Sequence, residues 1–162
     1  MAFVMKTEGM TEISEMLTQM AERAQGAAAQ GLYDGAGVMA DAIAAGAKSI
    51  KTEPFHYAAI PGITTRMPSP EEKEIVLNAA AGIAKFHKSG TEVDTSVGYQ
   101  NSGYALLKGK VVPVPKIVNA INSGTSFMQK QPFVRKAARQ ATPKAMAAIK
   151  SKIEEVFDEM NK

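Results

Sequence analysis

The stretch from residue 27 to residue 50 limits the fold more than any other part of this 162-residue chain. Leu32, Met39, Ile43, Ala47 and Ile50 recur on roughly one face, which predicts a long helix. The same segment holds Gly31, Gly35, Gly37 and Gly46 among many alanines. Each helical glycine costs about 1 kcal/mol relative to alanine. A helix that keeps four is expected to have something packed close against its backbone; the alternative is a break near Asp34-Gly35. Gly35-Ala36-Gly37-Val38-Met39-Ala40 fits the loose dinucleotide-binding pattern, but a polar helical segment precedes it where that motif needs a strand. Close helix packing is the better reading.

The flanking segments supply further elements. Phe3 and Met5 alternate in residues 2–6, as in a short edge strand. Ile13, Met16, Leu17, Met20 and Ala24 form one apolar face and predict a helix over 10–24, with Glu12 and Glu15 in its first turn. Pro54, Pro61, Gly62 and Pro68 make 51–69 a loop. Ser69-Pro70-Glu71-Glu72 has the order of a cap, a first-turn proline and dipole-matched acids, so a helix is predicted over 70–88. Its apolar stripe would be Ile75, Val76, Ala79, Ala80, Ile83 and Phe86, with Gly90 as the stop. The β-branched run 91–97 predicts a strand. Val111, Val112 and Val114 suggest another, at an edge because Pro113 and Pro115 interrupt it. Residues 117–121 fit strand or helix. Pro132 opens a last helix and Thr142-Pro143 restarts it. Met146, Ile149, Ile153, Val156 and Met160 then mark a seam for another helix, in this chain or a neighbour.

Charge is distributed unevenly. Residues 1–94 carry 12 acids and 8 bases, and 154–162 carry 4 acids and one base. Between them, 95–153 hold 10 bases and no acid. Such a surface attracts phosphate or an acidic protein face, unless it is merely a solvated basic face.

Several functions are disfavoured. Cysteine is absent, which removes disulfides and thiolate chemistry. No apolar run nears the ~20 residues of a membrane span, so no membrane partner is expected. The N-terminus lacks the basic start and long apolar stretch of a signal peptide, so synthesis in the cytoplasm without export through the general pathway is expected. Gly109-Lys110 is followed by valine, not by the Ser or Thr of a phosphate loop. Ser102, Ser123 and Ser126 lack the glycines of a nucleophile elbow. His56 lies in a loop and His87 ends the 70–88 helix, and neither has a partner at metal-ligand spacing. Glu71, Glu72 and Glu74 read as a helix start. No acid–base pair can be assembled, so neither an enzyme nor a cofactor is expected.

An interaction protein remains, and the segment 121–137 has the right build. Gly124 permits a turn with positive φ. Phe127 and Met128 are apolar within an otherwise polar loop. Pro132 starts a helix, Phe133 in its first turn can anchor the loop to the core, and Arg135, Lys136 and Arg139 lie within about one turn.

A Gly-Thr-Ser turn, a short Met-containing loop, Pro-Phe, an arginine two residues on and an alanine-rich helix: this order resembles the gene-product-ten-like tail-component family of tailed bacteriophages. Thr7-Glu8-Gly9-Met10 before the first helix, and a long alanine-rich second helix ending at Ala47-Lys48, are similar to that family too. The likeness covers roughly residues 1–51 and 117–162. Between them Pro61-Gly62-Ile63-Thr64 only faintly echoes the family's turn, so the 51–69 loop and the 70–88 helix look like an insertion. Asn122-Ser123 stands where the family commonly has a glutamate.

The resemblance implies a neck or tail-completion component, located in the virion of a phage or tail-like particle. It implies a homo-oligomeric ring joining the head-side connector to the tail tube or tail terminator. Gly124, Thr125, Phe127, Met128, Lys130, Pro132, Phe133, Arg135, Lys136 and Arg139 would then serve assembly or line a lumen. Contact with passing DNA would be backbone-only and salt-sensitive. The alternative is a small basic nucleic-acid-binding protein using Lys108, Lys110, Lys116, Lys130, Arg135, Lys136, Arg139, Lys144, Lys150 and Lys152. The expected fold is one α+β domain over 1–162: a small, mostly antiparallel sheet packed with long N-terminal helices and a long C-terminal helix.

Overall fold

The computed structural model describes residues 10–53, 65–90, 92–100 and 102–160. The strand predicted at 2–6, His56 and the 61–64 segment lie outside the described residues. The fold is α+β, with helices α1 (Met10–Lys48), α2 (Pro70–Asn78), α3 (Val114–Ser123) and α4 (Phe133–Met160).

The two helices predicted at 10–24 and 27–50 are one continuous α1. Neither proline nor a glycine with positive φ occurs near Gln25-Gly26, so nothing stops the first helix there. The same holds at Asp34-Gly35. α1 and α4 pack antiparallel, and the glycines explain how. An ideal Cβ at Gly31 would lie 3.0 Å from the Ile149 carbonyl oxygen. One at Gly35 would meet Ile149 Cγ1 at 2.6 Å, and one at Gly46 would meet the Ala137 Cβ at 3.0 Å. Three of the four glycines therefore let the α4 backbone approach; Gly37 has open space. On α4 the facing row is Phe133, Ala137, Ala141 and Ala145, all buried, followed by Ile149 and Ile153. Met146, placed on this seam by its spacing, is exposed.

Pro143 does not restart α4; the helix runs through it. Proline removes one N–H and normally bends a helix. Here Ala141 and Ala145 on either side are buried while Pro143 itself is exposed, so packing holds the helix through the missing bond.

The helix predicted over 70–88 ends at Asn78. Its start is as expected: the Ser69 hydroxyl accepts from the Glu72 N–H, and the Glu72 carboxylate accepts from the Ser69 N–H. Beyond Ala79 the chain turns extended and forms β1 (Gly82–Ile83) and β2 (His87–Ser89). These pair antiparallel with β4 (Val97–Gly98) and β3 (Glu92–Asp94). The two short ladders form one interrupted hairpin, in which Lys85 and Phe86 lie opposite the single Thr95. That extra residue is a bulge. Half-buried Phe86 sits 6.2 Å from the Tyr33 ring of α1. Pairing with the β-branched run overrides the helix propensity of Ala79-Ala80-Ala81. It also moves His87 from a helix end onto a strand, where its Nδ1 lies 3.3 Å from Asp94 across the ribbon.

A third ribbon joins β5 (Tyr104–Leu107) to β6 (Lys110–Pro113) through Lys108 and Gly109, both at positive φ. Val114 leaves the strand and starts α3. Residues 117–121 are helical, with Val114, Ile117, Val118 and Ile121 buried on one face. The described strands thus form separate two-stranded antiparallel ribbons rather than one sheet. The core gathers Ile43 and Ala47 of α1, Ile50 just after it, Val76 of α2, Tyr99, the α3 face, and Met128, Phe133 and Ala137.

Candidate assembly surface

The loop between α3 and α4 is built from within. Gly124 has φ 77°, and an added Cβ would lie 3.0 Å from the Lys130 Cβ, so only glycine fits this close crossing. The next residues close a tight turn: the Thr125 N–H donates to the Met128 carbonyl at 3.0 Å, and the Met128 N–H donates to the Thr125 hydroxyl at 3.0 Å. This turn separates the two apolar residues. Met128 points into the core, while Phe127 is 65% exposed at the tip.

Phe133 is 5% exposed, and its ring packs edge-on against Tyr99, with centroids 6.4 Å apart and planes inclined at 65°. It anchors the loop as its position suggested. Pro132 precedes the helix, and its carbonyl accepts the Lys136 N–H at 3.0 Å. Arg135, Lys136 and Arg139 are all exposed on the first turns of α4, and Lys130 is exposed on the loop beside them. The candidate residues therefore divide into an internal set (Gly124, Met128, Phe133) and a displayed set (Phe127, Lys130, Arg135, Lys136, Arg139). The bases of the wider acid-free stretch do not all join this surface. Lys150 and Lys152 pair with Glu154 and Glu155 at 3.6 Å and 2.9 Å.

Four residues support this loop in roles that the sequence did not assign to them. The Asn122 side chain accepts the Val134 N–H at 3.1 Å and so caps α4 from the end of α3. The Gln131 amide clamps the Lys51 backbone, accepting its N–H and donating to its carbonyl, each at 2.8 Å. Arg66 lays its backbone along the loop: its N–H donates to the Phe127 carbonyl and its carbonyl accepts from the Gln129 N–H. The Arg66 guanidinium also makes two hydrogen bonds to the buried Glu72 carboxylate, at 2.6 and 2.7 Å. The 65–69 segment and the start of α2 thus brace the loop. Asn122 and Gln131 carried a local signal as polar residues that flank a helix boundary, and Glu72 only as a helix-opening acid.

Burial pushes the Glu72 carboxyl up, but the hydrogen bonds from Arg66 and Ser69 outweigh it and hold the group below its ordinary value of about 4.5. A carboxyl depressed in the folded state stabilises that state above its unfolded pKa and loses the contribution as pH falls through the folded pKa. The brace should therefore weaken on acidification below about pH 4.5. Thermal unfolding followed from neutral to acidic pH should show this fall. In Glu72→Gln the acid slope should flatten, and stability at neutral pH should drop by about 2–4 kcal/mol because the charge-assisted hydrogen bonds between Arg66 and Glu72 are lost.

The described residues contain no group of three or more His, Asp or Glu arranged to hold a metal, and no described helix is long and apolar enough to cross a membrane. Comparison with protein-family models, with curated proteins and with solved structures finds no match to this chain.

Proposed function

We propose that this chain is a structural virion protein: a ring-forming neck or tail-completion subunit that joins the head-side connector to the tail of a phage or tail-like particle. It is not an enzyme in this reading. It is made in the host bacterial cytoplasm and meets the tail tube or tail terminator in the assembled particle. The observation that carries the reading is the α3–α4 loop, whose sequence resembles the gene-product-ten-like family. Its internal set buries Met128 and Phe133, while Phe127 and a cluster of bases face outward. A braced loop that exposes one aromatic ring beside basic side chains suits a contact between protein subunits, where aromatic and Arg residues carry much of the binding energy. Acidic flanks around a basic middle suit the same role, because complementary charge orients subunits in a ring.

The test reverses Arg135, Lys136 and Arg139 to glutamate together. These exposed charges contribute little to folding, so the melting temperature should stay close to wild type. Duplex DNA affinity of the wild type should be weak. Electron microscopy with labelled protein should place the wild type at the head–tail junction and find the variant absent from it, with unjoined heads and tails. Sub-micromolar DNA binding by the wild type at physiological salt, abolished by the reversal, would instead establish the nucleic-acid-binding alternative.

A further inference from the structure

We propose that the N-terminal arm of α1 docks into the groove between α1 and α4 of a second copy, so that identical subunits join head to tail. The proposal rests on the self-association within the ring reading and names the surfaces that would make it.

The arm is the part of α1 with no partner among the described residues. The antiparallel register sets Gly46 beside Phe133 and Ala137, Gly35 beside Ala145 and Ile149, and Gly31 beside Ile149 and Ile153. Carried on at 1.5 Å per residue, it brings the last residue of α4 opposite about residue 22 of α1. From Ser14 to Arg23 every residue is exposed. This projecting stretch is nevertheless amphipathic. Met16, Leu17 and Met20 share a face and are 63%, 61% and 55% exposed. A solvated helix has no need of such a stripe. The sequence of the arm also carries Glu12, Glu15 and Glu22 against Arg23.

The complementary surface lies at the other end of the same helix. A shallow groove of about 680 Å³ runs between α1 and α4. Val38, Ala42, Ala45 and Ala141 form its apolar floor, and Lys136 and Lys144 stand on its rim. Small floor residues leave room for larger side chains, as in other helix-in-groove contacts. The groove spans Val38 to Ser49 on α1, about 17 Å, and the arm from Met10 to Arg23 is about 21 Å long. Charge selects the occupant: the arm carries three acids and one base, and the groove sets Lys136 and Lys144 of α4 against the single acid Asp41 of α1.

The arm cannot reach its own groove. Leu17 and Ala42 lie on one continuous helix, about 37 Å apart along its axis. The contact is therefore between copies, and it joins two different surfaces. A heterologous contact of this kind closes into a ring or runs on as a filament.

The experiment uses the full chain and sedimentation velocity. An arm variant, M16Q/L17Q/M20Q, and a groove variant, A45E/K144E, change only exposed positions and should keep wild-type helix content. Wild type should self-associate with rising concentration, and each variant alone should stay monomeric. Mixed, the two should form a one-to-one dimer and nothing larger, because one intact arm meets one intact groove. In a separate charge swap, E15K and K144E should each weaken association by about two- to fivefold, and the double variant should recover part of it. A monomeric wild type would overturn the proposal. So would a groove variant that still associates, which would mean the arm pairs with another arm or with the exposed Tyr104, Leu106 and Val111 of the β5–β6 ribbon. A mixture that yields no dimer would overturn it as well. The site of the protein in particles is read separately, so this contact and the virion reading can fail independently.

Discussion

Phe133→Ala should lower the stability of the protein by about 3–4 kcal/mol, the usual cost of deleting a buried aromatic ring without collapse of the cavity. The site cannot close easily. Phe133 is held between Tyr99 and the α1 backbone near Gly46, and the Asn122 cap and the Gln131 clamp fix the chain on both sides of it. In a chain of this size the melting temperature should fall by about 10 °C. Phe127→Ala is the informative comparison. Its ring is largely exposed, so the variant should melt within about 0.5 kcal/mol of wild type. If the loop tip is a subunit contact, Phe127→Ala should nevertheless lose assembly. Stability and joining would then separate at two phenylalanines six residues apart. A Phe133→Ala protein as stable as wild type would mean that the loop is held by its backbone brace alone.

The second large effect is expected at the helix pair. Gly35→Leu places a side chain where a Cβ alone would already lie 2.6 and 2.8 Å from Ile149 and 3.1 Å from the Ala145 carbonyl oxygen. The Ile149 tip can rotate, but the carbonyl belongs to the α4 backbone and moves only if the helices separate. Overpacking of this kind costs about 1–3 kcal/mol, and more where a backbone must shift. An expected loss of about 3 kcal/mol or more, read by chemical denaturation, therefore exceeds the helix-propensity gain of about 1 kcal/mol from removing a glycine. Gly26→Ala and Gly37→Ala are the opposite case. Neither has a neighbour within 4 Å of an added Cβ, so each should stabilise the protein by about 1 kcal/mol. A Gly35→Leu protein as stable as Gly26→Ala and Gly37→Ala would contradict the close packing described for α1 and α4.

The two expected effects also show how evenly the burden of the fold is divided. Phe133 ties the loop to the core at one end of α4, and Gly31 and Gly35 seat its other half on α1. The brace from Arg66 and Glu72 adds a pH-dependent contribution between them.

Much of this was legible in the chain because it depends on chemistry within a few residues. The cap of α2 needed only Ser69, Pro70 and Glu72 in order. The turn at Gly124 needed a residue that tolerates positive φ, and Phe133 needed only its place after a helix-opening proline. The glycines of α1 implied a close neighbour because their cost in an isolated helix demands a reason. The Lys108-Gly109 hairpin turn was equally local, but lysine is not a usual residue for that conformation, and of its two flanking strands only the later one, at Val111-Val112, showed in the sequence. The partner of the α1 glycines could not be named from the sequence, because it lies about a hundred residues away on α4. Nor could the end of α2, where three alanines favour helix and only pairing of β1 with β4 draws the chain out straight. Pro143 argued locally for a break, and burial of Ala141 and Ala145 against α1 overrode it. The separation of Phe127 from Met128, and the placing of Arg66 and Glu72 beneath them, arise where three distant segments meet. Such choices belong to tertiary structure because each is a difference between competing local states of similar free energy, and long-range burial and pairing decide between them.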